Sequence, residues 1–270
     1  MTAPILLSPE ACLTASPDVV LVDVRTNPEM FLPGALHAPI GRDFCNPGAP
    51  GLGRNPWKAA SEVRKNLARL GLTPDETILF YDEGGMSFAA RARYAALCAG
   101  YAKAGLLDGG FAAWTAAGGP TTARLEERAP VDVPAMKHPA FPVFTFADAL
   151  AAFDRDTHRF LDARPRERWL GMTDPVDARP GRIPGAVSLP ATALLQNGRL
   201  LPVEDLRKIF DETLGDDPRP VLHYCGSGIA ASLTIFASEL VGRTNVSLYP
   251  GSWSEWCVKT PIGESSRYEH

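Results

Sequence analysis

The feature that most constrains this chain is that it is written twice. LVDVR at 21–25 returns as FLDAR at 160–164, and LPGALHAPI at 32–40 returns as IPGAVSLPA at 183–191. ILFYDEGGMSFAA at 78–90 returns as VLHYCGSGIAASL at 221–233, and DGGFAAW at 108–114 returns as PGSWSEW at 250–256. The offsets are 139 for Asp23 and Asp162, 143 for Tyr81 and Tyr224, and 142 for Trp114 and Trp256. Unlike signals in one order at a nearly constant offset mean a single domain, duplicated, with small insertions between the marks. The length agrees, because 270 residues exceed one comfortable core and correspond to roughly two domains.

The copies are expected to occupy 1–120 and 143–270. Between them, 121–142 is Pro-rich with no sustained helical or alternating period, and reads as an extended linker. Within each copy, short β-branched or aromatic runs alternate with helical stretches, the pattern of a parallel sheet covered on both faces. Ser8-Pro9-Glu10 and Thr145 to Asp148 read as N-caps. Asn55-Pro56 is expected to start a helix through Lys58 to Leu70 that Gly71 ends, with a counterpart from near Pro202 through Glu204 to Phe210. The fold class is therefore α/β, two tandem doubly wound domains.

In RPVLHYCGSGIAASLTIFASEL, 219–240, the first part reads as a buried strand ending at Tyr224 and the last as a helix from Ile229 to Leu240. Cys225 thus falls at the C-terminal edge of a parallel strand, where such sheets place their sites. Gly226, Ser227 and Gly228 let successive N–H groups turn inward. Joined to a helix N-terminus, such a nest holds an anion. The anion can be the thiolate, whose pKa of about 8.5 in free cysteine falls in this setting, or a persulfide on the same sulfur. The bland reading of a cysteine is a small buried hydrophobe. Cys12, Cys45, Cys98 and Cys257 keep that reading, although Cys257 beside the PGSW turn is a remote candidate for an oxidative disulfide.

Other classes are disfavoured. A net charge of −4 and a pI near 5.8 leave no basic field for nucleic acid. No run approaches the about 18 apolar residues of a membrane span. The N-terminus has no secretory pattern, and five cysteines form neither an even disulfide framework nor a CxxC metal pair, so a cytoplasmic location and no metal are expected. A cysteine phosphatase loop would need arginine at 231, where Ala231 stands.

Taken together, the repeat, the Asp-Ala-Arg, the Ile-Pro-Gly-Ala and the CGSGIA loop resemble the two-domain rhodanese sulfurtransferases over nearly the whole chain. The resemblance implies two rhodanese-like domains with the catalytic cysteine in the second copy. The first copy lacks it, with Asp82 aligned to Cys225. It also implies an anion-binding loop of Gly226, Ser227, Gly228, Ile229 and Ala230, in which Ala230 departs from the usual threonine. Cys-Gly-Ser-Gly resembles the 3-mercaptopyruvate type rather than the Cys-Arg-Lys-Gly of thiosulfate enzymes. Two family arginines that hold the mercaptopyruvate carboxylate and ketone map onto Arg168 and Arg179, for which arginine's fixed fork of donors is suited. Arg164, Arg166 and Arg182 in the same stretch read as structural or exposed.

Ser227 is a candidate to polarise the thiol or the leaving group. The family's proposed relay of histidine and aspartate is not found: Gly41 falls at the expected aspartate, Asp43 and Arg54 are neighbours that could substitute, and His223 is a strand histidine more readily packed than catalytic. The expected activity is transfer of sulfane sulfur from 3-mercaptopyruvate through a Cys225 persulfide to a thiol, such as thioredoxin, or to cyanide, with release of pyruvate and no cofactor. The alternatives are a thiosulfate sulfurtransferase and a persulfide carrier with little turnover.

Overall fold

A computed structural model of the protein describes residues 4–15, 17–48, 51–134 and 142–260. The stretch 135–141 of the expected linker lies outside the described residues. The chain forms two compact units, one of Met1–Asn46, Lys58–Phe141 and Leu195–Leu200, the other of Pro47–Trp57, Pro142–Leu194 and Leu201–His270. Residues 47–57 lie within the first copy in sequence but pack with the second unit, and 195–200 do the reverse.

The first unit contains strands β1 (Ile5–Leu7), β2 (Val20–Asp23), β3 (Leu36–His37), β4 (Ile78–Tyr81) and β5 (Ala104–Leu107), in the order β1-β5-β4-β2-β3 and parallel throughout. Its central strand β4, ILFY, is buried at every position, as a parallel strand covered on both faces requires. Helices α1 (Pro9–Ala15), α2 (Ile40–Asp43), α3 (Ala60–Arg69), α4 (Ser87–Cys98) and α5 (Gly110–Ala116) flank the sheet, α3 packing on α4 and α1 on α5.

The second unit repeats the plan with α6 (Phe146–Asp154), β6 (Arg159–Asp162), α7 (Arg166–Trp169) and β7 (Val187–Ser188). After the hairpin of β8 (Leu195–Gln196) and β9 (Arg199–Leu200) come α8 (Val203–Leu214), β10 (Val221–Tyr224), α9 (Ile229–Leu240), β11 (Val246–Leu248) and α10 (Ser252–Lys259). Its parallel sheet runs β11-β10-β6-β7. The hairpin turns on Asn197 and Gly198, both at positive φ, the pairing a type I′ turn needs, and belongs to the first unit. There Arg199 forks onto Glu10 at 3.0 and 2.6 Å, and the Leu200 N–H donates to Asp108.

The duplicated sequence marks become duplicated contacts. In each unit the Asp-x-Arg pair closes on itself, Arg25 on Asp23 and Arg164 on Asp162, with the carboxylates fully buried. In each, the tyrosine ending the central strand accepts the N–H that precedes the Pro-Gly turn, Leu32 to Tyr81 and Ile183 to Tyr224, both at 3.2 Å. Thr145 and Asp148 form the expected capping box. Two helix starts differ from expectation. Helix α3 begins at Ala60 rather than at Asn55-Pro56, because Asn55 is engaged in the second unit, and α8 continues past Phe210 to Leu214.

Candidate active site

Cys225 lies just beyond the C-terminal end of β10, and Gly228, with φ +76°, caps α9 in the left-handed conformation. That turn bends the chain back so that the Ser227 and Gly228 N–H groups donate to Cys225 Sγ at 3.4 and 3.1 Å. Two N–H groups and the start of a twelve-residue helix thus face the sulfur. Ile229 and Ala230 form the first turn of that helix.

The loop is held from behind by the PGSW segment. Ser252 Oγ accepts the Cys225 N–H at 3.1 Å, while the N–H groups of Trp253 and Ser254 donate to the carbonyls of Cys225 and Gly226, each at 3.0 Å. Below it, Trp256 meets Phe146, Phe153, Phe160 and Tyr249 edge to face at 5.5–6.3 Å between centroids, a rigid aromatic base. The first unit repeats the clamp, Phe111 and Ala112 donating to the carbonyls of Asp82 and Glu83.

In that unit the nest already contains an anion of the chain's own. The Asp82 carboxylate accepts N–H bonds from Gly84, Met86, Phe88 and Ala89 at 2.9–3.2 Å. Met86 stands at the helix cap with φ +56°, where the second unit has Gly228. Burial pushes the Asp82 carboxyl up despite these donors.

Beside the second-unit loop stand Arg54, a candidate substitute in the sequence, and Asn55, which sequence reasoning did not assign. Gly53 allows close approach: a methyl there would lie 2.7 Å from the Gly251 carbonyl. The Arg54 N–H then donates to Ser254 Oγ at 3.1 Å, and the Asn55 side-chain amide donates to Ser227 Oγ at 2.8 Å. Gly226 lies against two guanidiniums: a methyl group there would meet Arg54 Nη2 at 2.6 Å and both Nη atoms of Arg168 at 3.5 Å. Arg168 reaches Asp174 and Asp177 at 2.8 and 2.6 Å, leaving its buried Nε without a partner, and Arg54 pairs with Asp177. Burial, and then the neighbouring Arg168 charge, hold the Arg54 guanidinium below the usual arginine range.

The structure thus brings Cys225, Gly226, Ser227, Gly228 and Arg168 together and adds Arg54 and Asn55. Arg179 goes elsewhere: its guanidinium donates to the Thr260 hydroxyl and carbonyl at 2.8 and 3.1 Å, and is linked to the loop through Trp253, whose indole N–H donates to the Arg179 carbonyl. His223 is wholly buried with Nδ1 2.9 Å from Thr234 Oγ1, and burial lowers its pKa to about 3. Asp43 is bound by Arg42 and Arg69 within the first unit, and Gly41 lies in α2. Burial pushes up the thiols of Cys12, Cys45 and Cys98, the last to about 12, and Cys257 is a buried free thiol. Among the described residues no cluster of His, Cys, Asp or Glu could hold a metal, and no helix is long and apolar enough to cross a membrane.

The chain belongs to the rhodanese-like domain family, whose model matches it twice, at residues 12–117 and 145–259. It is 34% identical over 261 residues to a Pseudomonas aeruginosa protein named "Probable 3-mercaptopyruvate sulfurtransferase", covering 91% of this chain and 92% of that one. The 3-mercaptopyruvate sulfurtransferase of Escherichia coli K12 is 30% identical over 268 residues, with coverage of 91% and 92%. The thiosulfate sulfurtransferase of Gallus gallus is 31% identical over 204 residues, covering 72% of this chain and 68% of its own. The crystal structure of SseA, a 3-mercaptopyruvate sulfotransferase from Escherichia coli, superposes with a TM-score of 0.78 at 26% identity, covering 93% of this chain and 100% of that one.

Proposed function

We propose that this sulfurtransferase takes its sulfur from 3-mercaptopyruvate and carries it as a persulfide on Cys225. The observation that carries the reading is the nest: two N–H groups of the chain aimed at Cys225 Sγ at the N-terminus of α9. The thiolate attacks the substrate sulfur, an S–S bond forms, the carbon–sulfur bond breaks, and its electron pair leaves on the enolate of pyruvate. The enolate takes up a proton from solvent, and we assign the Ser227 hydroxyl, bonded to Asn55, to relay it. A nucleophilic acceptor then attacks the outer sulfur of the persulfide, leaving Cys225 as thiolate; a small thiol or thioredoxin through its thiolate, or cyanide through its carbon, can serve.

Local charge supports the mercaptopyruvate donor. The loop side chains are neutral, and the two guanidiniums near Gly226 are balanced by Asp174 and Asp177. A dianion such as thiosulfate gains little field there, whereas a single carboxylate needs less of it. In this reading Arg168 holds the carboxylate and Arg179 acts through Trp253. Thiosulfate is the second reading, favoured by the proximity of two arginines to the loop. The test is kcat/KM for each donor with cyanide as common acceptor and Cys225→Ser as the blank. We expect a preference for mercaptopyruvate; turnover by Cys225→Ser would end the proposal, and a preference for thiosulfate would replace the donor. The protein is expected to act in the cytoplasm.

A further inference from the structure

A polar cavity in the second unit takes no part in the chemistry above. It measures about 360 Å³ and is lined by Arg159 at the start of β6, Arg166 and Trp169 of α7, Arg182, Ser188 of the edge strand β7 and Thr213 of α8. Such a volume suits a small molecule.

Its charge is unbalanced. Arg166 and Arg182 have no carboxylate partner among the described residues. Arg159 pairs only loosely with Asp217, 3.9 Å away and already forked by Arg219 at 2.9 and 2.6 Å. Arg182 lies over the Trp169 ring, 4.3 Å from its centroid, with Arg166 at 5.4 Å, so the indole holds both guanidiniums in place. Trp169 is itself anchored by its N–H to the Ala186 carbonyl. The Ser188 hydroxyl is buried with no hydrogen-bond partner. A buried unsatisfied hydroxyl costs stability that a ligand oxygen can restore.

The duplicated unit shows that the fold does not need these groups. Val20 opens β2 where Arg159 opens β6. Phe31 precedes Leu32, the donor to Tyr81, just as Arg182 precedes Ile183, the donor to Tyr224. His37 is the last residue of β3, and Ser188 the last of β7. In the first unit Phe31 and His37 close the place by packing edge to face, 5.6 Å between ring centroids. In the second, arginine and serine stand there beside an open cavity.

We propose that this cavity binds a small phosphate monoester. Three guanidiniums, with Asp217 partly offsetting one, leave between two and three positive charges, which match a phosphate dianion better than a carboxylate. The apolar walls of Ala186, Val187 and the Trp169 edge take the organic part.

Calorimetric titration of the full chain with phenyl phosphate is expected to give saturable binding at one site, and inorganic phosphate to compete for it. Benzoate, the monoanion of similar shape, is expected to bind about tenfold more weakly. The double variant Arg166→Gln/Arg182→Gln should lose tenfold or more in affinity, and Arg182→Lys, which keeps the charge and loses the fork, several-fold. Far-UV circular dichroism confirms folding of each variant, and Arg182→Lys serves if the double variant does not fold. Absence of saturable binding to the wild type, equal affinity for benzoate, or undiminished binding by the folded variants would each overturn the assignment.

Discussion

Asn55 shows how one side chain can complete a site 172 residues away in sequence, its amide bonding Ser227 Oγ at 2.8 Å. Asn55→Ala is expected to lower kcat of sulfur transfer about tenfold, the loss of one polar contact to the group beside the reacting sulfur. Mass spectrometry should still find the persulfide on Cys225, so the loss reads as slower chemistry rather than a disordered loop. Gly226→Ala acts by shape: its methyl would fall 2.6 Å from Arg54 Nη2, the mobile end of a long side chain. We expect the chain to fold and KM for the donor to rise severalfold, measured by steady-state kinetics. Cys225 and Ser227 were legible in the sequence because strand, cysteine, Gly-Ser-Gly and helix are contiguous. Arg54 was legible only as a neighbour of the expected relay and Asn55 not at all, because nothing in GLGRNPW states which unit it packs against. A weak signal was present in Gly51 and Gly53, whose positive φ lets that segment turn onto Gly251.

At the scale of elements, the strand–nest–helix unit is used twice with different occupants. In the first unit Asp82 satisfies four N–H groups at the start of α4. Asp82→Ala would leave buried donors without a partner, and urea unfolding should report a loss of about 1–3 kcal/mol or more in that unit. In the second unit Gly228→Ala places a methyl at φ +76°, which costs about 1–2 kcal/mol and turns the nest away from Cys225 Sγ. Activity should fall further than stability, a comparison that separates loss of the nest from loss of the fold. The same motif thus serves structure in one copy and, in our reading, chemistry in the other.

For the molecule as a whole, His223 links stability to pH. Buried against Thr234, it has a pKa of about 3, against about 6.5 in an unfolded chain. As pH falls below 6.5 the unfolded state binds a proton that the folded state refuses until about 3, so stability drops across that window. The slope attributable to this one group is at most about 1.4 kcal/mol per pH unit, and denaturant unfolding of His223→Gln should be flatter by that amount. The sequence by itself determined the duplication, the two parallel α/β sheets, the tyrosine and Asp-x-Arg marks, and the cysteine loop. These depend on hydrophobic period and on backbone turns spanning a few consecutive residues. Only the tertiary structure decided that 47–57 pack with the second unit, that Arg168 faces Gly226 while Arg179 turns to Thr260, and that three arginines surround a second cavity. Long, flexible cationic side chains carry no period, and their partners are chosen by which buried carboxylates and aromatic faces the packed elements bring within reach.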